Sequence, residues 1–185
     1  FRFYEELNDF LPPERRKRSC AYPFLGTPAV KDAIEAQGVP HTEVDLILAN
    51  GESVGFDYRL RHGDRIAVYP VFEALDISSV ARLQDRPLRR SRFILDVHLG
   101  KLARLLRLLG FDATYENHWD DREIVRLAVV ERRAILTRDR GLLMIGSVTH
   151  GYWIRSDDPP LQAREVLRRF DLRGQVKPFT RCAAC

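Results

Sequence analysis

Four groups of acidic residues punctuate the C-terminal half of this 185-residue chain, and most stand where an apolar run gives way to something else. Phe93-Ile94-Leu95 stops at Asp96. A polar stretch through Trp119 gives Asp120-Asp121, with Glu123 just after. Ala134-Ile135-Leu136-Thr137 runs into Arg138-Asp139-Arg140, and Gly151-Tyr152-Trp153-Ile154 is followed by Asp157-Asp158. Sites in open parallel sheets form beyond the carboxyl ends of the strands, so carboxylates placed there are suited to holding a cation. Like charges brought together repel, and a cation among them offsets that cost. Carboxylates and water select a hard ion, Mg²⁺ or Mn²⁺. Such ions activate water and stabilise charge on a phosphoryl group in transfer. Asp96 is the strongest candidate, because Asp disfavours strands and nothing local requires it. Asp120 or Asp121, Asp139, and the Asp157-Asp158 pair each have a plainer alternative as a helix cap or turn residue. Neither a P-loop lysine motif nor a Gly-rich nucleotide loop occurs, which argues against nucleoside triphosphate hydrolysis.

The elements that must carry these residues alternate. Residues 93–96 read as a short strand. A helix follows over 99–109, with Leu99, Leu102, Ala103, Leu106 and Leu109 on one face, and Gly110 stops it. Residues 112–115 form a second strand. Asp120 or Asp121 caps a helix running to Arg133, with Ile124, Leu127 and Ala128 inward and Val130 a further candidate for that face. Residues 134–137 are a third strand with a short helix after Asp139. Residues 148–154 hold a fourth strand, interrupted by Gly151. Pro159-Pro160 opens a last helix over 161–170. Strands spaced by helices of this length imply a parallel sheet in a three-layer α/β fold. Lys101 and Arg104, three apart, share a helix face one turn beyond Asp96, and Arg107 extends the stripe. This stripe, with Arg138 and Arg140 flanking Asp139, is the candidate contact for substrate phosphate. The competing reading of each is an ordinary solvated face. His98 and His118 lie near the carboxylates, but a lone His is more often structural.

Residues 1–75 read as a separate, smaller α/β unit, joined by a linker over 76–91. The linker holds Arg82, Arg86, Arg89 and Arg90, with a helical stretch near residues 77–83. The unit opens with a strand at Phe1-Arg2-Phe3-Tyr4. A polar, proline-broken loop follows, then a second strand over 19–25. Thr27 as N-cap and Pro28 at the first position start a helix over 29–37, stopped by Gly38. Val44, Leu46 and Leu48 fall at alternate positions, with Asp45 between the first two, as in a half-buried strand. Asn50-Gly51 signals a tight turn into a strand near 53–56. His62-Gly63-Asp64 turns the chain into a last strand ending at Tyr69-Pro70.

The formal net charge is +4, unevenly placed. Residues 1–75 hold 9 Lys+Arg against 12 Asp+Glu, and the remainder 21 against 14. Acidic clusters within a basic half suit a polyanionic substrate reached through metal ions. No run is long enough to span a membrane. The chain opens on Phe1 with no signal-like segment and reads as part of a cytosolic protein. Three cysteines make no disulfide framework. Cys182 and Cys185, spaced as a CxxC, read better as zinc ligands, and Cys20 as an apolar core residue.

Two resemblances add to this reading. Val30-Lys31-Asp32, Val39-Pro40-His41-Thr42-Glu43-Val44, Asn50-Gly51 and Gly63-Asp64-Arg65-Ile66 resemble ubiquitin-like β-grasp domains of the sulfur-carrier type. Such carriers end in a free Gly-Gly tail. Here Val71-Phe72-Glu73-Ala74 continues instead, which argues against a sulfur-transfer adaptor.

Residues 92–185 resemble the PIN-like ribonuclease domain of the Mut-seven C-terminal family. The motifs that carry this are Phe93-Ile94-Leu95-Asp96, Leu99-Gly100-Lys101-Leu102-Ala103-Arg104, Leu108-Leu109-Gly110-Phe111-Asp112, Leu136-Thr137-Arg138-Asp139-Arg140, the Gln162/Arg164-Glu165-Val166 helix and Arg181-Cys182-Ala183-Ala184-Cys185. The resemblance implies a metal-dependent RNA endonuclease over residues 92–175. It carries over Asp96 and Asp139 as Mg or Mn ligands and one of Asp120 and Asp121 as a third, with Asp121 the choice. Asp157 joins them as a catalytic candidate. From residue 176 the resemblance implies the start of a zinc ribbon, with Cys182 and Cys185 as the first ligand pair and the second pair outside this chain. RNA is the expected partner, with tRNA or another structured RNA among the candidates. A protein partner for the ubiquitin-like domain, a cytoplasmic location and a toxin-like or a processing role complete the expectation. The alternative is an RNA-binding module that keeps the fold without the chemistry.

Overall fold

The structure is a computed structural model that describes residues 1–70 and 91–183. Most of the expected linker, the 71–74 continuation and Cys185 lie outside the described residues. Two compact units fall on either side of residues 71–90.

The N-terminal unit is a four-stranded sheet wrapped around one helix. Its strands are β1 (Arg2–Phe3), β2 (Val44–Ala49), β3 (Glu52–Val54) and β4 (Ile66–Pro70), and its helix is α1 (Val30–Glu35). The strand order is β1-β4-β2-β3. β1 runs parallel to β4, while β2 is antiparallel to both of its neighbours. Val30, Ala33 and Ile34 of α1 are fully buried. Asn50 and Gly51 both take positive φ, 53° and 93°, as a tight hairpin turn between β2 and β3 demands.

Three local expectations do not hold. Residues 19–25 form no strand: they run beside β1, but the backbone bonds recorded there are the reciprocal pair between Phe1 and Cys20, both 2.8 Å. Rings hold this segment instead, with Phe1 against Tyr22 at 5.6 Å and Tyr22 against Phe24 at 6.4 Å. Thr27 is not the cap of α1. The helix is entered from Ala29, and its first amides donate to backbone carbonyls, Val30 to Tyr58 at 2.8 Å and Lys31 to Phe56 at 3.3 Å. With those donors satisfied, no side-chain cap is required. Finally, the alternation along β2 is reset by a register shift between Val44 and Leu46. A one-residue slip exchanges the faces of a strand, so Ile47 and Ala49 are buried while Leu48 is only partly so.

The C-terminal unit is a parallel sheet with helices on both faces. Its strands are β5 (Arg92–Leu95), β6 (Asp112–Thr114), β7 (Ala134–Thr137) and β8 (Gly151–Trp153). Its helices are α2 (Gly100–Leu108), α3 (Asp121–Glu131), α4 (Arg140–Leu143) and α5 (Pro159–Arg169). The strand order is β6-β5-β7-β8, every pair parallel. Successive strand residues point to opposite faces, and each face has its own core. Phe93, Leu95, Ala134 and Leu136 pack with Leu102, Ala103 and Leu106 of α2 and Ala163 and Val166 of α5. Ile94 and Ile135 pack with Ile124 and Ala128 of α3 and Leu142 and Leu143 of α4. Burying each large side chain stabilises the fold by about 1.5–3 kcal/mol. β5 and β7, central and covered on both sides, are therefore the rigid base from which Asp96 and Asp139 project. β8 begins at Gly151 rather than Val148, and α3 ends at Arg132 in the left-handed conformation.

The segment after α5 returns to the end of α2. Lys177 N–H donates to Leu109 O at 3.0 Å, Phe179 N–H to Leu108 O at 2.8 Å, and the Arg181 guanidinium to Gly110 O at 3.1 Å. Carbonyls left open at the helix end are thus satisfied by the C-terminal segment that leads to Cys182. Gly110 makes this approach possible: its φ is +95°, and a Cβ there would lie 2.4 Å from Lys177 O. Gly110→Ala is expected to cost about 1–3 kcal/mol from the backbone conformation alone, before the clash is counted. Chemical denaturation checks this; unaltered stability would mean that the segment does not dock on α2.

Candidate active site

Asp96 ends β5 and is buried, at 6% exposure. Its backbone continues the sheet by donating to Leu136 O at 3.1 Å. Its carboxylate is pinned at both oxygens. Oδ1 accepts from His98 N–H at 2.8 Å, which caps the turn over Val97–Leu99, and Oδ2 accepts from the Thr137 hydroxyl at 2.6 Å. Thr137 is wholly buried at the end of β7, and its Oγ1 also accepts from Asp139 N–H at 2.8 Å. One hydroxyl therefore ties the two strand-end carboxylates together. Asp139 caps α4, accepting from Gly141 N–H at 2.7 Å.

Asp120 and Asp121 divide their roles. Asp120 caps α3 by accepting from Glu123 N–H at 2.8 Å. Asp121, one residue on, receives no hydrogen bond among the described residues. Its pKa is raised above the ordinary carboxylate value, first by partial burial and then by the negative charges of Asp139, Asp96 and Asp120. Three carboxylates from three elements thus act on one another across the carboxyl edge of β5 and β7. The raised pKa means that the folded protein holds this proton more tightly than the unfolded chain does. Stability therefore falls as pH rises from the usual carboxylate range through the raised value. Asp121→Asn is expected to stabilise the fold at neutral pH in the absence of divalent ions. The gain is below about 1 kcal/mol, because most of the Asp121 side chain remains exposed, where solvent screens it. Thermal melts of the two proteins against pH test this, and a lower melting temperature for the variant at neutral pH would refute it.

Asp157 stands differently. It is highly exposed, at 88%, and ion-paired with the Arg138 guanidinium, which also donates to Ser156 O at 3.3 Å. Its neighbour Asp158 caps α5, accepting from Leu161 N–H at 3.3 Å. Arg140 lies over the Trp153 ring at 4.3 Å. Trp153 is fixed in turn by donating its indole N–H to Arg138 O at 3.1 Å. Lys101 and Arg104 are exposed on α2 and line an open groove with Tyr115. Arg107 leaves this stripe. It is partly buried and its Nε donates to Ala113 O at 2.7 Å, because the next helical turn brings it over β6. The side chains of His98 and His118 are exposed.

The donor set suits a hard divalent ion in kind. Each Asp96 oxygen takes one hydrogen bond and can accept another, Asp139 Oδ2 has no donor among the described residues, and Asp121 is open. It is not a closed cage: among the described residues no three acidic, His or Cys side chains lie close enough to enclose one ion unaided. Mg²⁺ is commonly held through one or two carboxylates, several waters and substrate phosphate, so an open set fits that mode. Cys182 is exposed, and no zinc cluster forms among the described residues. Sequence reasoning missed Thr137, whose place inside a motif between a buried strand and Asp139 was the available signal.

A parallel sheet between two helical layers, with acidic residues at its carboxyl edge and following a β-grasp unit in the chain, defines a PIN-like α/β domain joined to a ubiquitin-like domain. The Mut7-C RNAse domain family matches residues 91–185, and the Mut7-C ubiquitin family matches residues 1–76. The chain belongs to the Mut7-C RNAse domain family, with ribonuclease activity and RNA as the substrate class that this implies. No curated protein and no solved structure matches it. No helix among the described residues is long and apolar enough to cross a membrane.

Proposed function

We propose that this chain is a divalent-metal-dependent ribonuclease that cleaves RNA endonucleolytically in the cytoplasm, using Asp96, Asp121 and Asp139 to hold Mg²⁺ or Mn²⁺. The observation that carries this reading is the convergence of carboxylates from three elements at one sheet edge: Thr137 ties Asp96 to Asp139, and the charges of Asp139 and Asp96 add to burial in raising the Asp121 pKa. Residues that repel one another in the free protein are stabilised by whatever cation they share. A bound divalent ion would supply charge stabilisation at the phosphoryl oxygens and make water acidic enough to attack at neutral pH. The protein's own groups supply the rest. Thr137 and the His98 amide orient Asp96. Lys101 and Arg104 attract and position phosphate, as a point charge and a fork respectively. Arg138 and Arg140 extend the cationic surface beside Asp139, with Arg138 released from Asp157 when RNA competes for it. Asp157 serves the reaction through that exchange. The ubiquitin-like unit recruits the substrate or a protein partner, and Cys182 and Cys185 have the spacing of one ligand pair of a structural zinc site.

The openness of the carboxylate set favours one competing reading, RNA binding without chemistry. Incubating labelled single-stranded and structured RNAs with the protein in Mn²⁺, Mg²⁺ or EDTA separates the two. Internal cleavage in Mn²⁺ or Mg²⁺ that EDTA abolishes is the expected result. Binding that depends on salt but is indifferent to metal, with no cleavage, would establish the alternative.

A further inference from the structure

An open groove of about 570 Å³ runs along the exposed side of α2. Its volume lies in the range of small-ligand sites. Its chemistry is divided. Leu108, Pro159, Pro160 and the Tyr115 ring make it mostly apolar, while Lys101 and Arg104 stand at its wall and no carboxylate lines it. Lys101 and Arg104 form no ion pair among the described residues, unlike Arg126 and Arg138, which are engaged by Glu123 and Asp157. The groove thus offers two unpartnered cations beside flat apolar walls. A solvated helix face would give the cations but not the aromatic and proline surfaces beside them.

Tyr115 is held rigidly. Its hydroxyl donates to Val97 O at 2.9 Å, one residue beyond Asp96. Its ring lies against bare backbone at Gly100, where a Cβ would come within 2.8 Å of the ring and hydroxyl. A ring fixed in advance loses little entropy when something stacks on it. Its tether also ties one wall of the groove to the turn that Asp96 caps.

The geometry points to a nucleotide subsite: the groove takes one unpaired base of the RNA between Tyr115 and the Pro159-Pro160 wall, with Lys101 and Arg104 on the adjoining phosphate. The occupant follows from complementarity, since a planar apolar ring joined to an anion matches the two halves of the lining. Bases held in a duplex cannot be splayed onto a protein ring without unpairing. The enzyme therefore selects single-stranded segments next to its scissile bond. This rests on the proposed RNA substrate and adds the form of that substrate.

Fluorescence anisotropy with the full chain in EDTA tests it without interference from metal-dependent cleavage. The probes are a single-stranded oligouridylate, an abasic strand of the same length and charge, and a blunt RNA duplex. Stacking of one base predicts that the oligouridylate binds about tenfold or more tighter than the abasic strand, and also tighter than the duplex. Tyr115→Leu, and independently Gly100→Ala, whose Cβ would come within 2.8 Å of the Tyr115 ring and displace it, should erase that margin. If Tyr115→Leu does not fold, Gly100→Ala decides. Equal affinity for the base-bearing and abasic strands overturns the proposal, as does a duplex preference or a base preference that survives displacement of the ring. The nuclease reading fails separately: base-dependent binding with no cleavage in Mn²⁺ would sink it and leave the groove standing. Cleavage without base dependence would do the reverse.

Discussion

Replacing Asp96 or Asp139 by Asn is expected to lower Mn²⁺- or Mg²⁺-dependent RNA cleavage by about a thousandfold or more. The amide keeps the shape and several hydrogen bonds but removes the negative charge. An ion that supplies several kcal/mol of charge stabilisation in the transition state loses occupancy with it, and about 4 kcal/mol corresponds to three orders of magnitude in rate. Asn at 96 can still accept from His98 N–H or Thr137, so the local fold should survive. Circular dichroism and melting behaviour close to the parent protein would show that the loss is chemical. Cleavage unaltered in both variants would remove these residues from the mechanism.

The second large effect is expected at a residue that need not touch RNA at all. Thr137→Val preserves the buried shape at the end of β7 but deletes the hydroxyl that donates to Asp96 Oδ2 at 2.6 Å and accepts from Asp139 N–H at 2.8 Å. Residues that orient metal ligands typically contribute about 10–100-fold in metal affinity or activity. The Asp139 amide left without its acceptor adds a stability cost of about 1–3 kcal/mol. Thr137→Ser keeps the hydroxyl and should restore most of the activity. A merely structural role would predict otherwise: Val would lower the melting temperature while leaving the Mn²⁺ concentration needed for half-maximal cleavage unchanged.

Much of this site was legible in the sequence because strand ends are. Two apolar runs, one ending directly at Asp96 and the other at Arg138-Asp139, in a pattern of alternating strands and helices already place Asp96 and Asp139 at one edge of a parallel sheet. The division between Asp120 and Asp121 was not legible to the same degree. Both sit at a helix start, and only the fold shows that Asp120 accepts from its own helix while the charges of Asp139 and Asp96 reach Asp121. Thr137 was hidden for a different reason: a Thr in a buried strand is what β propensity alone predicts. The pairing of Arg138 with Asp157 spans nineteen residues, a separation no local pattern encodes. In the N-terminal unit, Thr27-Pro28 carried a normal cap signature. Tertiary contacts overrode it, because carbonyls of residues 56 and 58 reach the helix start first. The register shift in β2 likewise puts Ile47 and Ala49, rather than Leu48, on the buried face.

Anomalous diffraction from crystals of the full chain soaked in Mn²⁺ tests the central claim most directly. A Mn²⁺ peak within coordination distance of Asp96 and Asp139, with Asp121 contributing directly or through water, is the predicted result. An empty carboxylate edge at a Mn²⁺ concentration that supports RNA cleavage would contradict it.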